Sequence, residues 1–84
     1  MTAVVFAFQE HASEEDQDLV RTQILAAPGV RVVERISPKA TKPGLRRLWF
    51  AEVADDTAAT DLVKRLRERS DIQSADLPAS RQAL

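Results

Sequence analysis

The chain has 84 residues, 12 of them basic and 13 acidic, and it contains no cysteine. This length supports one domain with one core, and the nearly balanced charge provides no field that would collect nucleic acid or an anionic membrane. The absence of cysteine excludes disulfides, iron–sulfur clusters and thiolate zinc sites, and the single histidine, His11, cannot form a histidine metal site by itself. We therefore expect a one-domain protein without a metal or other cofactor, with no nucleic acid or membrane among its partners.

The first residues, MTAVVFAFQEH, contain no basic segment and only a short apolar run. A signal peptide has a basic segment before its apolar core, and a membrane-spanning helix needs about 20 apolar residues. A cytoplasmic protein is therefore the default expectation.

The first half of the chain predicts a strand, a helix and a second strand. Residues 3–8 (AVVFAF) are a continuous β-prone run, typical of a central strand with both faces covered. Ser13 before EEDQD predicts the start of a helix, because a side-chain oxygen and early acidic residues stabilise its first N–H groups. Pro28-Gly29 ends this helix. Its apolar stripe is predicted to contain Leu19, Val20, Ile24 and Ala27.

The second strand is predicted to be half-buried, because apolar and basic residues alternate along it. Val30, Val32 and Ile36 alternate there with Arg31, Val33 and Arg35. Residues 37–44 (SPKATKPG) then predict a loop with a tight turn at its end.

The second half of the chain repeats the pattern of the first. Residues 45–53 (LRRLWFAEV) predict a third strand, and residues 72–77 predict a last strand that Pro78 ends. Between them, Asp55, Asp56 and Thr57 predict the start of a second helix. Its apolar stripe is predicted to contain Ala59, Leu62, Val63 and Leu66.

The order of elements, β-α-β-β-α-β, predicts an α+β fold of the ferredoxin-like kind. Right-handed crossovers place both helices on one face of a four-stranded antiparallel sheet. We expect this domain to cover residues 1–78, followed by a C-terminal tail of residues 79–84.

The other face of such a sheet has nothing in this chain to cover it. If Val4, Phe6 and Phe8 pack on the helices, then the alternate residues of the first strand lie on the open face. In the third strand, one set is Leu48, Phe50 and Glu52, and the other is Trp49, Ala51 and Val53. Either assignment points a large aromatic residue away from the helices, which predicts a protein-binding surface. A second copy of the chain and a foreign protein are equally compatible with this pattern.

No residue pattern supports catalysis, so we predict that the chain is not an enzyme. His11 lies on a strand-to-helix connection, and no serine has a partner histidine at a suggestive position. The acidic run 14–18 lacks EF-hand spacing and is better explained as a charged helix start. Basic residues near the predicted turn could contact phosphate, but a solvated loop is the simpler interpretation. These are Lys39, Lys42, Arg46 and Arg47.

The pattern resembles the propeptide of subtilisin-type serine proteases and the free-standing inhibitors related to it. The likeness lies in the sequence Phe50-Ala51-Glu52-Val53, in the capped helix with Leu62 and Leu66, in Asp71-Ile72 leading into Ala75-Asp76, and in the tail. Because no protease follows Leu84, the resemblance implies an inhibitor or intermolecular chaperone that acts in trans.

The resemblance also implies a binding mode. The open face of the sheet would lie on two surface helices of the protease, with Asp76 capping one of them; the second acidic capping position falls on Pro78, which cannot serve. The tail would run through the substrate cleft, with Leu84 in the first specificity pocket, Ala83 in the second and Arg81 in the fourth. The residues assigned to the cleft are Arg81, Gln82, Ala83 and Leu84. Those assigned to the protease surface are Leu48, Phe50, Glu52 and Asp76.

Two other functions share the predicted order of elements. A dimeric ligand-sensing domain of the amino-acid-regulatory kind favours a glycine-containing loop after the first strand, and residues 9–13 contain no glycine. An enzyme of the acylphosphatase type needs an anion-binding loop with an arginine in the same place, and the segment has neither.

Overall fold

Two β-α-β units follow one another along the chain and pair into one antiparallel sheet. The computed structural model describes residues 2–77. Its elements are β1 (Thr2–Phe8), α1 (Glu14–Leu25), β2 (Val30–Arg35), α2 (Pro43–Arg46), β3 (Leu48–Val53), α3 (Asp56–Arg67) and β4 (Ile72–Asp76). The strand order β2-β3-β1-β4 confirms the predicted α+β, ferredoxin-like topology. The predicted domain boundary at Pro78 and the predicted tail 79–84 lie outside the described residues. Within the described part, no helix is both long and apolar enough to cross a membrane.

Both long helices begin at the side chains that the sequence predicts. The Ser13 hydroxyl accepts a hydrogen bond from the Asp16 N–H at 3.1 Å, and the Asp16 carboxylate accepts one from the Ser13 N–H at 3.2 Å. At the start of α3, the Asp55 carboxylate accepts a hydrogen bond from the Ala58 N–H at 2.8 Å. Each cap satisfies N–H groups that have no partner within the helix.

The core lies between the two long helices and one face of the sheet. Alternate residues of β1 and β3 contribute to it, and α3 contributes the four residues of its predicted apolar stripe. Its members are Val4, Phe6, Phe8, Ala12, Val20, Ile24, Val33, Trp49, Ala51, Val53, Ala59, Leu62, Val63, Leu66, Ile72 and Ala75. Because one contiguous core includes residues of both helices, the two helices cover the same face.

The predicted apolar stripe of α1 is wrong at two positions, one of which is Ala27, because the helix ends at Leu25 and Ala27 is only half-buried in the turn that follows. Leu19 is 59% exposed, whereas Gln17 is 2% exposed and lies in line with Val20 and Ile24. The Gln17 amide oxygen accepts a hydrogen bond from the Trp49 indole N–H at 2.9 Å. A buried indole N–H needs an acceptor, and Gln17 supplies it from a position that hydrophobicity alone assigns to solvent.

A β-bulge changes which residues of β2 face the helices. Val30 pairs with Val53 and Val32 pairs with Glu52, so the register shifts between the two pairs. After this shift Val33 is buried, at 1% exposure. Simple alternation groups Val30 with Val32 and Ile36, and that grouping is wrong because one extra residue reverses the faces of all that follow.

The predicted third strand begins three residues later than expected. Residues 43–46 form the single helical turn α2, with Pro43 in its first turn, and β3 starts at Leu48. Proline has a fixed φ that suits the first turn of a helix. Residues 37–53, predicted as a loop followed directly by a strand, therefore contain one helical turn between the loop and the strand.

Gly29 connects α1 to β2 in a conformation that other residues avoid. Its φ is +84°, and a Cβ atom placed on it would lie 3.0 Å from the Cβ of Ala58. We expect Gly29→Ala to lower the free energy of unfolding by about 1–2 kcal/mol, because the left-handed region penalises a Cβ. Urea unfolding at equilibrium measures this change.

Gly44 provides the matched control for that substitution. Its φ is not positive, and the nearest atom to an added Cβ is the tip of the Arg47 side chain at 3.9 Å. Gly44→Ala should therefore leave the free energy of unfolding nearly unchanged. Equal destabilisation by the two substitutions would contradict the conformational explanation.

Candidate functional site

The open face of the sheet carries the residue set that the sequence left unassigned. Trp49, Ala51 and Val53 of β3 are buried under the helices, at 0–2% exposure. The alternate residues therefore point to the opposite face, where they are half-buried. On β3 these are Leu48, Phe50 and Glu52; on β1 they are Ala3, Val5 and Ala7, as predicted.

Cross-strand pairing extends this face into the neighbouring strands. Phe50 pairs with Val5 on one side and with Glu34 on the other. The backbone bond from the Ile36 N–H to the Leu48 carbonyl, 3.0 Å, puts Ile36 beside Leu48. Ile36 is 44% exposed, although it lies next to the apolar centre of the face. We define the open face as Ala3, Val5, Ala7, Val32, Glu34, Ile36, Leu48, Phe50, Glu52, Ser74 and Asp76.

Sequence reasoning missed Val32 and Ile36 as members of the open face. Both belong to the alternating set of β2, and without the bulge at Val30/Val32 the faces of that strand cannot be assigned. The sequence contains no signal for this face, because the bulge follows from the pairing of β2 with β3.

Every charged side chain of the open face is acidic. Glu34, Glu52 and Asp76 border its apolar centre, and no lysine or arginine occupies the positions that define the face, although the exposed Arg31 lies in the bulge next to Val32. Asp76 forms an ion pair with Arg67 of α3, with 2.5 Å between Oδ1 and the guanidinium, and its side chain remains 67% exposed. The surface is therefore an apolar patch with a negative border.

Trp49 lies on the helix side of the sheet and belongs to the core. Its ring is stacked with that of Phe6 at a centroid separation of 6.5 Å and meets Phe8 edge-on at 6.1 Å. The guanidinium carbon of Arg35 lies 4.7 Å from its centroid. The large aromatic residue of the open face is consequently Phe50.

Glu14 holds three elements together at the start of α1. Its carboxylate binds Arg35 of β2 at 2.6 Å and Arg46 of α2 at 2.9 Å. The hydrogen bond from Arg46 lowers the pKa of Glu14, and the charges of both arginines lower it further. Arg46 also donates to the Ala40 carbonyl at 3.0 Å. The sequence groups Arg46 with basic residues that could contact phosphate, but its guanidinium binds Glu14 and the Ala40 carbonyl of the same chain.

The other polar residues considered for catalysis or metal binding either form hydrogen bonds within the chain or are exposed to solvent. Asp71 accepts two hydrogen bonds from Arg69, at 3.0 and 3.1 Å, and this pairing lowers the pKa of Asp71. His11 is exposed at the end of β1, and Asp16 belongs to the helix cap. Among residues 2–77, no three His, Cys, Asp or Glu side chains lie close enough together to hold a metal ion.

The residues predicted to enter a protease cleft fall beyond the end of the described segment. Arg81, Gln82, Ala83 and Leu84 lie outside the described residues, so their assignment stays a prediction. The last described strand, β4, is an edge strand and ends at Asp76. All four residues predicted to contact the protease surface belong to the open face; they are Leu48, Phe50, Glu52 and Asp76.

Comparison with protein-family models, curated proteins and solved structures gave no significant match.

Proposed function

We propose that this chain is a protein inhibitor, or a folding chaperone, of a subtilisin-like serine protease. The open face docks on the enzyme surface, and the residues from Arg81 to Leu84 occupy the substrate cleft. The observation that carries the proposal is the apolar centre of the open face, around Phe50, which neither long helix covers. The choice of protease rests on the resemblance of the sequence.

The size of the sheet supports binding through two contacts, one by the open face and one by the tail. Four strands spaced about 4.8 Å apart and about 20 Å long present roughly 400 Å². A standard protein–protein interface buries about 800 Å² on each partner. The face alone therefore supplies about half of a stable interface, and an extended tail in a cleft is a suitable source of the rest.

The negative border supports a foreign partner over a second copy. In a face-to-face dimer, Glu34 and Glu52 of both copies would enter one interface, where like charges disfavour association; Asp76 contributes less, because Arg67 compensates its charge. The N-termini of surface helices carry a partial positive charge and present free N–H groups. A partner surface built from such helix ends complements the border electrostatically.

Asp76 remains available for this role despite its ion pair. Arg67 binds one carboxylate oxygen, Oδ1, and an ionised carboxylate can accept further hydrogen bonds. The pair also fixes the carboxylate at the end of β4, which reduces the entropy lost when a partner binds it.

The test is inhibition of several subtilisins by the full chain and by a version that lacks residues 81–84. We expect the full chain to inhibit at least one of them and the truncation to weaken inhibition roughly 10- to 100-fold, because a buried leucine contributes about 1.5–3 kcal/mol. Refolding of a denatured subtilisin with and without the chain measures the chaperone activity. Equal potency of both versions, or no inhibition of any subtilisin, would contradict the proposal.

Sedimentation of the free chain tests the alternative of a dimeric ligand-sensing domain. The inhibitor proposal predicts a monomer, with the open face available. A tight dimer that Phe50→Glu dissociates would favour the alternative instead.

A further inference from the structure

Both outer strands of the sheet have an arginine on the edge that no other strand of residues 2–77 pairs with. The Nε of Arg21, on α1, donates to the Val33 carbonyl of β2 at 2.9 Å. The Nε of Arg67, on α3, donates to the Ala75 carbonyl of β4 at 2.9 Å. In each β-α-β unit, the helix that packs over an edge strand therefore binds a carbonyl of that strand.

The hydrogen-bond pattern places both carbonyls on the outside of the sheet. In an antiparallel pair, backbone groups point alternately toward the partner strand and away from it. The Ile36 N–H donates to Leu48 of β3, so Val33, three residues earlier, points away from β3.

The backbone groups of β4 alternate in the same way. The Phe8 N–H donates to the Arg47 carbonyl on the β3 side, so Phe6 also points to that side, and Val5 and Ala7 point to β4. Their partners Asp76 and Ser74 then point to β1, and Ala75 points outward.

We infer that Arg21 and Arg67 keep the chain from adding strands at its edges, so that self-association through β2 or β4 is suppressed. A strand that pairs with either edge needs the outward carbonyl, because it is an acceptor of the shared ladder. Such a strand must first displace a charge-assisted hydrogen bond, which is stronger than a neutral one. The ion pair with Asp76 also holds the Arg67 side chain in place at the edge of β4.

The inference predicts distinct assemblies for single and double substitutions. Arg→Met keeps much of the aliphatic stem but removes the donor. Arg21→Met or Arg67→Met opens one edge, and two copies joined through one open edge form a closed dimer. The double substitution opens two edges per chain and gives open-ended oligomers. We expect each opened edge to lower the dissociation constant for self-association by about tenfold or more.

Sedimentation velocity over a range of concentrations tests this on the full chain, with circular dichroism to confirm folding. Lys39→Met with Arg65→Met is the matched control, because it removes the same charge and adds the same side chains at exposed positions of the loop after β2 and of α3. If the double variant does not fold, the two single variants still test the inference, because each is expected to form a dimer. Monomeric behaviour of every folded variant, or equal association of the control, overturns the inference.

Two further measurements distinguish edge pairing from association through the open face. Adding Phe50→Glu should leave an edge-paired dimer intact, and its dissociation by this change overturns the inference. Hydrogen exchange should slow at the amide of Ala75 in the Arg67→Met dimer and at Val33 in the Arg21→Met dimer. Unchanged exchange at these amides in an associated variant also overturns it.

Discussion

On the proposed function, we expect Phe50→Glu to weaken inhibition of a subtilisin-like protease by about 100-fold and to lower the free energy of unfolding by only about 1 kcal/mol. The substitution removes the aromatic group at the centre of the open face, whose burial contributes about 1.5–3 kcal/mol. It also forces a carboxylate into the interface, next to Glu34 and near Glu52. The fold is spared because Phe50 points away from the core.

Leu19→Glu is the matched control for this prediction. Leu19 is also an apolar residue outside the core, at 59% exposure, but it lies on α1 rather than on the open face. Inhibition constants and urea unfolding should both remain near wild-type values. Equal inhibition by Phe50→Glu and the wild type would contradict docking through this face, whatever the effect of tail truncation.

Trp49→Ala will lower the free energy of unfolding by about 3–5 kcal/mol, the range for a large aromatic residue removed from a core. Trp49 is 2% exposed and contacts Phe6, Phe8 and Arg35 through its ring. The loss is large relative to the roughly 5–15 kcal/mol that stabilises a small domain. Urea unfolding followed by circular dichroism measures the loss, because the tryptophan signal is gone.

A double-mutant cycle separates packing from the indole hydrogen bond. Trp49→Phe leaves the Gln17 amide oxygen buried without its donor, and Gln17→Leu leaves the indole N–H without its acceptor. Each single change should cost about 1–3 kcal/mol, and the double change should cost less than their sum. Strict additivity would contradict a stabilising role for this bond.

Local rules at particular residues account for most of the fold. Ser13 and Asp55 begin the helices where their side chains can accept N–H groups, and Ala59, Leu62, Val63 and Leu66 form the buried stripe of α3. These features depend on a few neighbouring residues, so periodicity and capping chemistry suffice to predict them.

Features that depend on a distant partner were not predictable. The burial of Gln17 follows from the position of Trp49, which is 32 residues away. The bulge in β2 follows from its pairing with β3, and it decides that Val33 joins the core while Ile36 joins the open face.

Which face of β3 is open also depends on contacts with residues far away in the sequence. Residues 48–53 are apolar on both faces, so alternation could not choose between the sets of Trp49 and Phe50. The choice came from packing, because the indole fits between the phenylalanines of β1 and the amide of Gln17.

The position of Trp49 also determines what intrinsic fluorescence can report. It is the only tryptophan of the chain and is buried against the helices, on the side of the sheet opposite Phe50. Its emission should shift strongly on unfolding, when the indole meets water, and stay nearly constant when a ligand without tryptophan covers the open face. The protein therefore contains an optical probe of its core that is insensitive to docking.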